Sequence, residues 1–177
     1  GRRLLLLVHP HSQAPMDAGG PAATPICRSR DNRHMPSKEC DRPEDYPHVR
    51  SISTRWKDND IYGHVNNVEY YSFFDTVINA WLIEEGGLDI QSGETIGVCA
   101  ESGCRFVAPV AFPESIEAGL RVSKVGSSSV RYEIGLFREN GEPLAEGWFV
   151  HVFVDREDRR PRPIPEGIRS AMAGITR

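Results

Sequence analysis

Residues 55–85 read RWKDNDIYGHVNNVEYYSFFDTVINAWLIEE, and the fold turns on this stretch. It divides into an approach (Arg55 to Lys57), a polar turn (Asp58 to Asn66) and a long aromatic run. The turn crowds two carboxylates, an imidazole, a phenol, a glycine and two carboxamides into nine residues. Such density suits a site better than a connection, because loops held by rigid elements often carry chemistry. The run that follows has helical spacing: Glu69, Ser72, Asp75, Thr76 and Asn79 fall on one arc of roughly 120°. Val68, Tyr70, Tyr71, Phe73, Phe74, Val77, Ile78, Trp81 and Leu82 fill the rest. A surface helix needs a far narrower apolar stripe, so this one is expected to be nearly enclosed.

The ends support a helix. Asn66 suits the N-cap, with Glu69 at capping-box spacing. Gly86-Gly87 supplies the residue free to take positive φ at the other end. About 20 residues give a rod of roughly 30 Å. Its first N–H groups, carrying partial positive charge, open onto the polar turn and would stabilise a carbonyl oxygen gaining negative charge.

Outward from the helix, the upstream chain changes character. Residues 1–47 hold seven of the 13 prolines and no sustained period, which predicts a disordered extension with a boundary near Tyr46-Pro47. Residues 48–177 then form one domain. Val49 to Trp56 reads as a first strand. Downstream, Thr95 to Val107 reads as a long strand with Val98, Ala100, Ser102, Cys104 and Phe106 on one face, broken by Pro109 and Pro113. Ile116 to Val122 and Val130 to Leu136 alternate as third and fourth strands, with a turn at Gly126-Ser127-Ser128. Asn140-Gly141 is a strong hairpin signal before a fifth strand, Leu144 to Asp155, with Trp148, Val150, Val152 and Val154 on one side. Phe149 and Phe153 are then expected on the outer face. Short connections demand antiparallel pairing. The pattern predicts an α+β fold in which an antiparallel sheet of about five strands wraps around one long central helix. A short helix is expected at Glu166 to Ala173, after a solvated, mobile basic stretch at Arg156 to Arg162.

Composition excludes several classes. The net charge of −4, with 26% charged residues and no basic face, argues against nucleic acid. No apolar run approaches the roughly 20 residues of a membrane span. Leu4 to Val8 is too short for the core of a secretion signal. The four cysteines, Cys27, Cys40, Cys99 and Cys104, read as reduced thiols of a cytoplasmic protein, with Cys99 and Cys104 on opposite strand faces. Cys27 and Cys40 with His34 and His48 fit no common zinc spacing, so no metal is expected.

DNDIYGHVNN leading into a helix, then CRFVAPVAF, VGSSSVRYE and AEGWFVHVFVD ending in RPRPIP, resembles the hotdog-fold acyl-CoA thioesterases of the 4-hydroxybenzoyl-CoA thioesterase type. The resemblance covers about residues 48–170. It implies the hotdog fold in homodimers or homotetramers, an acyl-CoA substrate and no cofactor. It places the catalytic carboxylate, nucleophile or general base, on Asp60. It places the oxyanion donor among the backbone N–H groups of Val65, Asn66 and Asn67, with Gly63 permitting the turn that aims it. It carries Lys124, Gly126, Ser127 and Ser128 over as contacts to the nucleotide end of the substrate.

Other roles stay open at this point. Asp58 reads as structural, bonding amides of its own turn. His64 either polarises substrate or fixes the loop, and Tyr62 either lines the acyl pocket or packs. Asn66 and Asn67 are caps first and ligands second. Glu101 faces away from Phe106, as a solvated or interface charge. Acyl-CoA hydrolysis is the leading function. A hotdog hydratase or dehydratase would need a His-rich pattern that this stretch lacks. A non-catalytic acyl-CoA-binding module is the third reading, since fold does not fix function.

Overall fold

The structure, a computed structural model, describes residues 40–177. The readings made for residues 1–39, Cys27 and His34 among them, lie outside the described residues. The elements come in the expected order: β1 (His48–Ser53), α1 (Asn67–Glu84), β2 (Thr95–Phe106), β3 (Ser115–Val125), β4 (Ser129–Arg138), β5 (Pro143–Asp155) and a short α2 (Glu166–Met172). The strands form one antiparallel sheet in the order β1-β3-β4-β5-β2. Gly141 takes φ 81° to close the β4–β5 hairpin, and Gly87 takes φ 67° just past α1. Among the described residues, no helix is long and apolar enough to cross a membrane.

α1 crosses the inner face of the sheet. Tyr70, Phe73, Phe74, Val77, Ile78, Trp81 and Leu82 are buried at three- and four-residue spacing, one face of a helix. They meet Ile116, Leu120 and Val122 of β3, Tyr132 and Ile134 of β4, and Phe149 and Phe153 of β5. At Gly147 the helix side chains reach the backbone of β5: a Cβ there would lie 2.5 Å from the Phe74 ring. Val68 and Tyr71 depart from expectation: they are 64% and 37% exposed. A single sheet covers only one side of a cylinder, so the helix is not enclosed by this chain alone.

Two face assignments are corrected by the register. Trp148, Val150 and Val152 share a side of β5, but it is the outer one, while Phe149, His151 and Phe153 point at the helix and are buried. Both faces of β5 are apolar, so alternation could not decide between them. In β2 the pairing shifts between Cys99, opposite His151, and Glu101, opposite Val150. This β-bulge adds one residue and inverts parity. Ser102, Cys104 and Phe106 face the helix as expected, Val98 does not, and Cys99 shares the face of Cys104 instead of opposing it. Glu101 stays on the outer side, 3.4 Å from Trp148 Nε1. Cys99 and Cys104 are free thiols. Cys40, expected to be reduced, is disulfide-bonded, a pairing that spacing alone does not reveal.

The segments before β1 and after β5 are built into the domain among the described residues. Arg121, only 6% exposed, pairs with Asp41 and Glu133 at 2.7 Å each, and its guanidinium lies 4.6 Å from the centre of the Tyr46 ring. Tyr46 fills a notch in the outer face where Cβ atoms at Gly119 and Gly135 would come within 3 Å of its ring. Asp41 to Tyr46 therefore packs on the sheet, upstream of the expected boundary. Arg156 to Arg162, expected to be mobile, folds back on β5: Arg162 N–H donates to Phe153 O at 2.9 Å and Arg156 Nε–H to Gly93 O at 2.6 Å. Ile164, Ile168, Met172 and Ile175 then close the core.

Candidate active site

The polar turn lies where β1 hands over to α1. Asp58 is fully buried. Its carboxylate accepts the Arg55 N–H at 2.7 Å and Nε–H at 2.9 Å, and its carbonyl accepts the Asn66 N–H at 2.8 Å. Arg55 reaches on to Glu69 at 3.1 Å, so Glu69 serves an ion pair and no capping box forms. Asp60 is half-buried and closes its own turn. Its N–H donates to His64 O at 2.9 Å, its Oδ1 accepts the Tyr62 N–H at 2.8 Å, and Gly63 N–H donates to its carbonyl at 3.1 Å. Gly63 holds φ 83°, a conformation that side chains other than glycine resist. Among the described residues, Asp60 Oδ2 accepts no hydrogen bond.

The start of α1 narrows the donor set. Val65 N–H is spent on Val110 O at 2.8 Å and Asn66 N–H on Asp58 O, which removes two of the three expected oxyanion donors. Asn66 Oδ1 caps the helix by accepting the Val68 N–H at 3.2 Å. Asn67 N–H is the first free donor of the helix among the described residues. His64 is exposed and its ring makes no bond that would fix the loop. Tyr62 is 83% exposed and does not pack into the core. Trp56 and Ile61 are exposed beside it, and Trp56 meets Phe112 edge to face at 5.9 Å. Burial pushes the Tyr70 hydroxyl and the Cys104 thiol up to about 12, which leaves both protonated at neutral pH. Sequence reasoning passed over Trp56, Asn59 and Phe112. Phe112 ends the CRFVAPVAF string at a break between strands, and nothing in its spacing gives it a role.

Residues 54–172 match the sequence profile of the thioesterase-like superfamily. The chain belongs to that superfamily. Solved relatives agree with the assignment and the hotdog fold. The PA5185 protein of Pseudomonas aeruginosa strain PAO1 is 57% identical, with TM-score 0.75, over 76% of this chain and 95% of that one. The PA2801 protein of Pseudomonas aeruginosa is 30% identical, with TM-score 0.67, over 72% and 98%. Slr0204, a 1,4-dihydroxy-2-naphthoyl-CoA thioesterase from Synechocystis, is 17% identical over 71% and 94%, with TM-score 0.65, a likeness of fold.

Within this thioesterase-like domain, not all the expected residues come together. Lys124, Gly126, Ser127 and Ser128 lie at the far end of β3, while Glu114 at its near end accepts the Thr54 N–H at 3.2 Å. Eleven residues of strand separate the two ends by about 35 Å. The turn's carbonyls are also engaged: Ser127 O by Ile164 N–H at 2.9 Å, Gly126 O by Arg169 at 2.7 Å, Ser128 O by Phe153 N–H at 2.7 Å. A cavity of about 310 Å³ lined by Gly87, Leu88, Glu94 and Ile168 opens at that same end, away from Asp60. Within one chain, the turn and Asp60 do not form one site.

Proposed function

We propose that the protein is an acyl-CoA thioesterase, with Asp60 as the reacting carboxylate and the Asn67 N–H as oxyanion donor. One observation carries the reading: a carboxylate with one oxygen uncommitted stands beside a helix start whose first N–H is free. Membership of the thioesterase-like superfamily supports it, as does a relative of the same fold that acts on a CoA ester. In one route Asp60 attacks the thioester carbon, expels CoA thiolate and leaves an anhydride that water opens. In the other it takes a proton from the water that attacks. Both pass through a tetrahedral oxyanion, whose charge the Asn67 N–H and the positive helix end favour. A thioester is electrophilic and its thiolate leaves readily, so a carboxylate and an oxyanion donor suffice.

The site is completed by a second copy in this reading. Val68, Ile61 and Tyr62 are left exposed around the turn that carries Asp60, and such patches mark association surfaces. Pairing of two copies would also bring a second β3–β4 turn, with Lys124, toward Asp60. Sedimentation is expected to give a dimer or tetramer. A monomeric mass with undiminished turnover would count against the shared site.

The function is tested by thiol release from short, medium, long and aromatic acyl-CoAs. Release from at least one class supports the proposal. Water addition to an enoyl-CoA without thiol release would favour a hydratase. Tight binding with neither reaction would favour a binding module.

A further inference from the structure

We infer that Asn59, between the two aspartates, is a positioning residue that sets the spacing between the Asp60 turn and an aromatic wall, Trp56 and Phe112, which grips the substrate beside its thioester. The inference rests on the proposed role of Asp60. Asn59 Oδ1 accepts the Phe112 N–H at 3.0 Å, and its Nδ2–H donates to Gly63 O at 3.5 Å. One carboxamide thus ties the loop between β2 and β3 to the turn that carries Asp60. The backbone repeats the tie nearby: Asn59 bridges Val65, whose N–H donates to Val110 O at 2.8 Å. The rest of the loop is held separately, by Thr54 N–H on Glu114 O at 3.2 Å and Arg138 on Pro109 O at 2.5 Å.

Among the described residues, Phe112 N–H bonds Asn59 alone, while its neighbour Ala111 is held by Glu114: Ala111 N–H donates to Glu114 Oε1 at 3.0 Å and its carbonyl accepts the Glu114 N–H at 2.9 Å. The Phe112 ring is 38% exposed and stands against Trp56, which is 81% exposed. Two large rings set nearly perpendicular and left partly open to solvent contribute little to the core, and the corner they form suits the apolar part of an acyl-CoA.

Asn59→Leu, Asn59→Asp and Phe112→Ala test this. For each, kcat and KM are measured on a thioester the wild type turns over, affinity on a non-hydrolysable acyl-CoA thioether, and stability by melting. Asn59→Leu is expected to raise KM and weaken thioether binding about tenfold, with kcat changed less than about threefold, the signature of lost binding rather than lost chemistry. Phe112→Ala should do the same, and the double variant should be no worse than Phe112→Ala alone. Asn59→Asp keeps the acceptor for Phe112 N–H and should restore KM.

Unchanged KM and affinity in Asn59→Leu would overturn the inference. So would a lower melting point in Asn59→Leu and Asn59→Asp alike, with kcat and KM moving together, as for a mere brace. If the wild type releases no thiol, the thioesterase reading fails and the affinity arm decides alone. Tenfold weaker thioether binding in Asn59→Leu would sustain the wall; unchanged or absent binding would end it.

Discussion

Asp58 and Asp60 stand two residues apart in the same turn and meet different physics. Asp58 has no exposed surface and is tied to Arg55, whereas Asp60 keeps one oxygen open to the outside. Residue type could not separate them; burial and partners do. A second residue, His151, shows how burial couples to pH. It is 3% exposed, packed edge to face against Tyr132 and Phe149, and its Nδ1 finds no protein partner. Burial pushes its imidazole below 6.5, and the Asp75 carboxylate offsets part of the shift. Below 6.5 the unfolded chain binds a proton that the folded chain resists. The stability is therefore complete above that value and is lost as pH falls toward the lower folded-state value. Melting temperature is expected to drop between about pH 7 and pH 5, and His151→Phe should flatten the drop. Part of the slope should remain, because burial lowers His48 in the same direction. Equal slopes in variant and wild type would contradict this account.

At the scale of elements, Gly147 makes room on β5 for the Phe74 ring of α1. A Cβ there would lie 2.5 Å from the Phe74 ring, which is fully buried and has no space to yield. Gly147→Val is expected to cost about 3 kcal/mol, in the range for overpacking a well-filled core. Denaturant unfolding should show the loss as a lower midpoint, and an unchanged midpoint would mean that the helix can ride higher on the sheet. The elements themselves were legible, because periodicity, the Asn66 cap and the Asn140-Gly141 turn all act locally. Which face of β5 met the helix was not, because Trp148, Phe149, Val150 and Phe153 are all apolar. The bulge in β2 was not either: its extra residue is set by pairing with β5, a partner some 50 positions away in the chain. In the site, Asp60, Gly63 and the helix start could be read from their motif. Asn59 and Phe112 could not, since their relation exists only once β2 and β3 bring the loop onto the turn.

The whole molecule extends further upstream than its proline-rich composition suggests. Asp41 pairs with Arg121 at 2.7 Å and Asp45 with Arg177 at 3.2 Å, so the segment before β1 links the sheet to the C-terminus. A chain beginning at residue 41 keeps the Asp41–Arg121 pair and serves as the reference. A chain beginning at residue 46 leaves buried Arg121 with Glu133 alone and should lose about 2 kcal/mol, since unpairing a buried charge is costly. Equal midpoints for the two would show that the clamp contributes nothing. Association belongs to this scale too. Val68, on the exposed side of α1, lies just past the Asp60 turn, so a subunit interface there would change chemistry and stability together.

The central claim is best tested by Asp60→Asn beside Asp58→Asn. The first keeps shape and hydrogen bonding but removes the charge that attacks or takes a proton. On a thioester the wild type turns over, Asp60→Asn is expected to lower kcat by about 10² to 10⁴, roughly 3 to 5 kcal/mol of transition-state stabilisation, with affinity for a non-hydrolysable analogue little changed. Asp58→Asn should instead lower the melting temperature more than it lowers kcat. Near-normal kcat in Asp60→Asn, with kcat lost in Asp58→Asn, would contradict the account.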